Sequence, residues 1–201
     1  MIKKLAVGVA ALATVLGGVA AALPASAQTG TATKAGQVLN LRENGYGGCQ
    51  KPGSTWGVNG AEAVLTITDK LNFPNKQSLY VSSSNSDAVN TGCLNGYAYS
   101  GGTKRLTSSW TVGGTEILSC SIGIGGNCTV SSTEKSATDT YDTGTKPNND
   151  GEWSVSSGGG RVTTEGTLGK VDYYRHKSTA TFAAGSKATI ATAENYAVRK
   201  F

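Results

Sequence analysis

Apolar and polar residues alternate with a period of two in roughly ten short segments of this 201-residue chain, and no segment sustains the 3.6-residue period of an amphipathic helix. From Ala61 to Asp69, the side chains of Ala61, Ala63, Leu65 and Ile67 fall on one face, and Glu62, Thr66 and Thr68 on the other. From Lys104 to Val112, Leu106, Trp110 and Val112 share one face, while Arg105, Thr107, Ser109 and Thr111 share the opposite one. Shorter runs repeat the pattern, with Leu39 and Leu41 inward in Val38–Arg42, and Leu79 and Val81 inward in Ser78–Ser82. Glycine and asparagine punctuate these runs, as turns between short strands require. The expected fold is all-β: a disulfide-stapled antiparallel β-sandwich or a Greek-key-like barrel.

The N-terminus has the features of an export leader. Lys3 and Lys4 form a basic start, Leu5 to Ala22 is apolar and small, and Ala25-Ser26-Ala27 is an A-x-A cleavage site. Residues 1–27 therefore read as a cleaved bacterial signal peptide, and residues 28–201 as one secreted β domain. Removing 27 of 201 residues leaves 174 and lowers the formal charge from +5 to +3, because Lys3 and Lys4 depart. That charge implies no nucleic-acid partner, and no later apolar run is long enough to span a membrane as a helix.

Export makes the four cysteines a disulfide framework. The stretch Trp110–Ser132 folds as a hairpin about Ile124, with Cys120 opposite Cys128, Leu118 opposite Val130 and a glycine-flanked tip. That pairing leaves Cys49 for Cys93. In the chain-entropy model the nine-residue loop contributes about 2.6 kcal/mol and the 45-residue loop about 4 kcal/mol. Joined through Gly113-Gly114, Lys104–Ser132 reads as a three-strand meander.

The remaining stretches read as follows. Asn44-Gly45 ends the first strand as a turn, and Tyr46–Gly60 is a loop pinned by Cys49. Ser83–Gly92 is polar and loop-like. Residues 133–150 form a polar loop, an edge segment or an inter-lobe linker. Trp153 and Val155 pair with Thr164 and Val162 as a hairpin, and a second hairpin turns at His176-Lys177. Residues 188–200 fit either a last strand, with Ala188 and Ile190 inward, or a short helix.

No catalytic or metal signature stands out, and no cofactor is implied. A Ser-His-Asp triad would have to run through His176, the one histidine, whose neighbours Arg175 and Lys177 disfavour an imidazolium; His176 reads as a solvated hairpin residue. A carboxylate-pair hydrolase would need two of 13 scattered acids to converge. Asp139, Asp142, Asn148, Asn149 and Asp150 carry oxygen ligands, but not at the spacing of a calcium loop. Binding fits better. Tyr46, Trp56, Tyr97 and Tyr99 lie near cysteines or Asn-Gly turns, where an aromatic ring on a pinned loop gives a rigid contact surface for an envelope polysaccharide or a protein. Trp110 and Trp153 sit on alternating strands and read as core. Residues 161–201 carry seven bases and three acids, net +4, a basic segment that could rest on anionic envelope polymers. The expectation is a secreted binding protein without catalysis; a small hydrolase and a surface-coat protein that associates through sheet edges are the alternatives.

Overall fold

The computed structural model describes residues 26–50, 60–93, 98–116, 119–121, 128–157, 159–164 and 168–201. Residues 1–27, expected to be an export leader, lie outside them except for Ser26 and Ala27. The described residues form strands and no helix. In chain order the strands are β1 (Ser26–Ala32), β2 (Gln37–Tyr46), β3 (Ala61–Asn75), β4 (Ser78–Gly92), β5 (Thr103–Gly114), β6 (Ser119–Ser121) and β7 (Thr129–Ser131). They continue with β8 (Ser136–Asp142), β9 (Lys146–Pro147), β10 (Glu152–Ser157), β11 (Gly160–Thr163), β12 (Val171–Ala184) and β13 (Lys187–Arg199).

These strands make two sheets packed face to face as a sandwich, not a closed barrel. The first runs β1-β13-β12-β5-β8-β7, with β9 also on β5; the second runs β2-β3-β4-β11-β6, with β10 also on β4. Every pairing is antiparallel except β1 with β13.

Alternation decides what lies between the sheets. The inward residues form three levels along the strands. At one end Leu71, Phe73, Leu79 and Val81 of the second sheet meet Trp110, Val112, Tyr174 and Ala197 of the first. At the other end Ala61, Ala63, Leu65 and Ile67 meet Leu106, Ala180, Phe182 and Ala191. Each large apolar side chain buried here stabilises the fold by about 1.5–3 kcal/mol. The level between them is polar: Asp69, Ser84, Ser86, Ser108, His176, Ser178 and Asn195 are all buried.

Several local expectations change. The strand Val38–Arg42 continues through Asn44-Gly45 to Tyr46, because Gly45 is where β2 crosses β13: a Cβ there would overlap the Thr192 carbonyl. Ser83–Gly92 is strand, not loop. A register shift between Lys70 and Leu71 of β3, at Ser82-Ser83 of β4, turns the inward set from Leu79 and Val81 to Ser84, Ser86, Ala88 and Asn90. A bulge flips the alternation in this way, and the residues it turns inward here are mostly polar. Residues 136–142 form β8, paired with β5 and β7. β10 and β11 do not pair with each other; both lie along β4 in one continuous register, with Gly159 at φ +90° between them. β12 runs unbroken through His176, and the turn comes at Gly185-Ser186 instead. Residues 187–199 are strand, with Thr189, Ala191, Ala193, Asn195 and Ala197 inward rather than Ala188 and Ile190.

Both disulfides pair as expected, Cys49 with Cys93 and Cys120 with Cys128. The second is not a hairpin staple. β6 pairs with β11 in one sheet and β7 with β8 in the other, so Cys120–Cys128 joins the two sheets where both present an edge. Leu118 lies outside the described residues. Cys49–Cys93 ties the segments that leave the ends of β2 and β4, on either side of the start of β3, with Cα atoms 5.8 Å apart.

Candidate functional site

The outward face of the seven-strand sheet carries a shallow groove of about 400 Å³. Tyr173 and Arg175 project into it from β12, Glu194 and Tyr196 from β13, Thr111 from β5 and Thr29 from β1. All of them sit at outward positions of the alternation, opposite the inward core set. Register brings them together: Arg175 pairs with Tyr196 on one side and with Thr111 on the other, and Tyr196 pairs with Thr29.

Two features make this groove rigid. The Tyr173 ring lies across Gly113 of β5, where any Cβ would overlap it, so the ring rests on bare backbone. Tyr196 sits beside it, with ring centroids 5.8 Å apart and planes tilted by 31°. Arg175 Nη2 donates to Glu194 Oε2 at 2.7 Å, which fixes both side chains. Burial raises the Tyr173 hydroxyl above its ordinary pKa, as do the neighbouring Tyr196 and Glu134, so at neutral pH it remains a donor. Two aromatic rings flanked by a guanidinium, a carboxylate and threonine hydroxyls form a surface that is apolar in its middle and hydrogen-bonding at its margins. A second shallow groove continues on the same face past Thr107, Ser109, Thr140, Asp142, Lys177 and Thr179.

The buried level contains an Asp-His-Ser arrangement. His176 Nδ1 lies 3.1 Å from both carboxylate oxygens of Asp69, so Nδ1 carries a proton and donates. Nε2 lies 3.0 Å from Ser178 Oγ and 3.2 Å from Ser86 Oγ. Tyr174 Oη donates to Asp69 Oδ1 at 2.7 Å and Asn195 Nδ2 to Asp69 Oδ2 at 2.6 Å. Trp110 stacks on the imidazole at 5.0 Å and donates Nε1–H to Ser84 Oγ at 2.7 Å. The connectivity is that of a triad, yet the His176 and Asp69 side chains are 0% exposed, and Ser86 and Ser178 are buried with them. No substrate carbonyl can reach these hydroxyls. The group instead links strands of both sheets: β3, β4, β5, β12 and β13 each contribute. His176 is therefore not a solvated turn residue; its basic neighbours Arg175 and Lys177 point to the opposite side of the strand.

The residues expected at a binding face are dispersed. Tyr46 is 48% exposed at the end of β2, close in sequence to the Cys49–Cys93 bridge. Tyr99 is half-buried against the core, and its backbone bonds to Asn90, so it holds the fold. Trp56 and Tyr97 lie outside the described residues. Trp110 is core, as expected, and Trp153 is half-buried under Lys104, whose Nζ is 4.8 Å from the ring centroid. Tyr173 and Tyr196 were not singled out by the sequence reading. The signal for them is two tyrosines at outward positions next to charged outward residues, Tyr173 beside Arg175 in β12 and Tyr196 beside Glu194 in β13, but only register shows that they are neighbours.

The loop oxygens do not converge. Asp139 is buried in β8, Asp142 pairs with Arg105, Asp150 accepts from Lys104 Nζ at 2.5 Å, and Asn148 holds the Tyr99 and Gly101 carbonyls. Hydrogen bonds from Arg105 and Lys104 hold Asp142 and Asp150 below the usual carboxylate range. Among the described residues no three potential ligands gather around a common point, and no helix is long and apolar enough to cross a membrane. No protein-family model matches this chain, and no curated protein matches it.

Proposed function

We propose that this is an exported bacterial binding protein that acts without catalysis and holds an envelope glycan against the outer face of its seven-strand sheet. The observation that carries this reading is the Tyr173–Tyr196 pair seated over Gly113 and flanked by the Arg175–Glu194 ion pair. A sugar ring presents an apolar C–H face and a rim of hydroxyls. The tyrosine rings match the first; the guanidinium, the carboxylate, Thr29 and Thr111 match the second. Export is supported by the basic-then-apolar N-terminus with its A-x-A site, and by two disulfides, which persist in oxidising compartments. Cleavage after Ala27 would leave Gln28–Ala32 of β1 paired with β13 and would open the groove at its Ala27 edge.

The test is retention of the disulfide-intact protein on cell-wall fractions, compared with a Tyr173→Ala/Tyr196→Ala variant. The reading expects wild-type retention that soluble wall glycan competes away, and loss of retention in the variant with the strand signal in circular dichroism preserved. Equal retention of both proteins would refute it. A second reading rests on Tyr46, exposed three residues before Cys49 of the Cys49–Cys93 bridge, as part of a contact for a protein partner. Under that reading Trp56→Ala or Tyr46→Ala abolishes capture of a stoichiometric protein from culture supernatant and leaves stability nearly unchanged.

A further inference from the structure

Five loops and tails gather at one end of the sandwich, and each carries one exposed lysine. Lys34 lies between β1 and β2, Lys76 between β3 and β4, Lys135 between β7 and β8, Lys170 just before β12 and Lys200 just after β13. The pairings place all of them at the same end, where Gln37 meets Phe73, Asn75 meets Ser78, Gly113 meets Ser136 and Val171 meets Gly114. Among the described residues none of the five is in an ion pair, whereas Lys104, Arg105, Arg175 and Arg199 each are.

The backbones at these lysines are laced together. Val171 N donates to the Lys76 carbonyl at 2.8 Å, Thr115 N to that of Lys170 at 2.9 Å and Gly114 N to that of Lys135 at 2.9 Å. Lys200 N donates to the Ala32 carbonyl at 2.8 Å, and Gly36 N to that of Phe73 at 2.8 Å. Backbone partners of this kind sit about 5 Å apart at Cα. Lys76, Lys170 and Lys135 are thus fixed on adjoining segments while their ammonium groups face solvent. Described acids at this end are Glu116 and Glu134, with Asp172 bound to Arg199; Glu165 lies outside the described residues. Like charges held on neighbouring fixed segments repel one another, at a cost in stability that a bound anion relieves.

We propose that this end is a docking surface for a linear polyanionic polymer, with the five lysines as its contacts. The proposal does not depend on the groove. Lysine supplies point charges without the bidentate fork of arginine, which suits a run of repeating anionic groups better than a single oriented carboxylate. Leu168, at 85% exposure, is the one exposed large apolar side chain on these loops among the described residues. Insertion into a lipid surface would call for several. The basic C-terminal segment of the sequence contributes two of the five lysines, and the fold adds three from elsewhere.

Inorganic polyphosphate is the probe, titrated against the full chain with both disulfides intact. Binding is expected at low salt and should weaken on the order of a hundredfold between about 50 and about 200 mM salt, as release of counterions from about five contacts requires. Lys76→Gln/Lys170→Gln should bind about tenfold more weakly with a shallower salt dependence, and polyphosphate should raise the melting temperature of wild type more than that of the variant. Lys146→Gln/Lys187→Gln, which removes the same charge at the opposite end, should bind as wild type does. Equal loss in both double variants, no binding of polyphosphate, or retention on phosphatidylglycerol vesicles without polyphosphate binding would overturn the proposal.

Discussion

Asp69 is subject to two opposing effects. Burial alone would push its carboxyl up; the charge of His176 and hydrogen bonds from His176, Ser84 and Asn195 outweigh burial and hold it below the ordinary carboxylate value. The same burial, with the Asp69 charge beside it, pushes the Tyr174 hydroxyl well above its usual value, so it stays a donor. A folded-state value below the unfolded one means that the unfolded chain takes up the proton first. The stability contributed by Asp69 is therefore complete above about pH 4, the unfolded value, and is lost as pH falls through it towards the folded value. Asp69→Asn offers one acceptor oxygen to donors from Tyr174, His176 and Asn195 and leaves His176 unpaired. Removing one partner of a buried pair costs about 3–5 kcal/mol. Urea unfolding at neutral pH should show that loss, and repeating it down to about pH 3 should show a shallower acid dependence than wild type. An unchanged midpoint at neutral pH would mean that the bonds to Asp69 stabilise nothing. The polar residues around His176 were legible one by one, but their burial was not. Arg175, His176, Lys177 and Ser178 in sequence read as a solvated turn. The clue was phase: Tyr174, His176, Ser178, Ala180 and Phe182 continue one unbroken alternation, and a turn at His176 would have interrupted it.

Among the elements, strands whose inward phase is carried mainly by large apolar side chains were legible; strands with a phase shift, or with small and polar residues in the inward phase as in β12 and β13, were not. β3 and β5 kept the faces their alternation implied. β4 changed phase at Ser82-Ser83, so its second half presents serines inward and reads from sequence as loop. Gly45 shows the same limit. Asn-Gly is a turn signal in isolation, but here glycine is needed because the backbone of β13 passes at contact distance. Gly45→Ala should therefore cost about 1–3 kcal/mol as an overpacked contact, even though alanine suits a strand better than glycine; a neutral or stabilising result in thermal melts would place the crossing of β2 and β13 further apart. The two disulfides give a graded pair of predictions. Cys49–Cys93 closes the longer loop, so replacing both cysteines by alanine should cost about 4 kcal/mol, against about 2.6 kcal/mol for Cys120 and Cys128. The pairing of cysteines came out as expected, Cys120 with Cys128 from an assumed hairpin register and Cys49 with Cys93 by elimination, although the described strands on either side of Cys120–Cys128 pair in different sheets. That sheet membership was not legible, because a short loop joins two strand edges of one sheet as readily as edges of two sheets.

In the whole molecule, the three-level core determines how the sandwich can come apart. Two apolar levels are divided by a polar one, and such a division could split the fold into halves that unfold separately. The connections argue otherwise. β3, β5, β12 and β13 each run through all three levels, so one strand carries Ile67, Asp69 and Leu71, and another carries Ala180, His176 and Tyr174. The polar contacts cross between the sheets: Asp69 of one sheet is held by Tyr174, His176 and Asn195 of the other, and Ser84 by Trp110. Separating the sheets at the polar level breaks the bonds to Asp69 and Ser84 together, and separating them at either apolar level strains strands that the polar level holds across the sandwich. Unfolding of the disulfide-intact protein should accordingly be a single cooperative transition, with the fluorescence of Trp110, which borders the polar level through Ser84 and His176 and is isolated by replacing Trp56 and Trp153 with phenylalanine, coinciding with far-ultraviolet circular dichroism, reporting on both sheets. Asp69→Asn should shift both signals together to lower denaturant. A fluorescence transition that precedes loss of strand signal would show instead that the polar level loosens by itself. The outer-face groove would then rest on a first sheet able to part from the second.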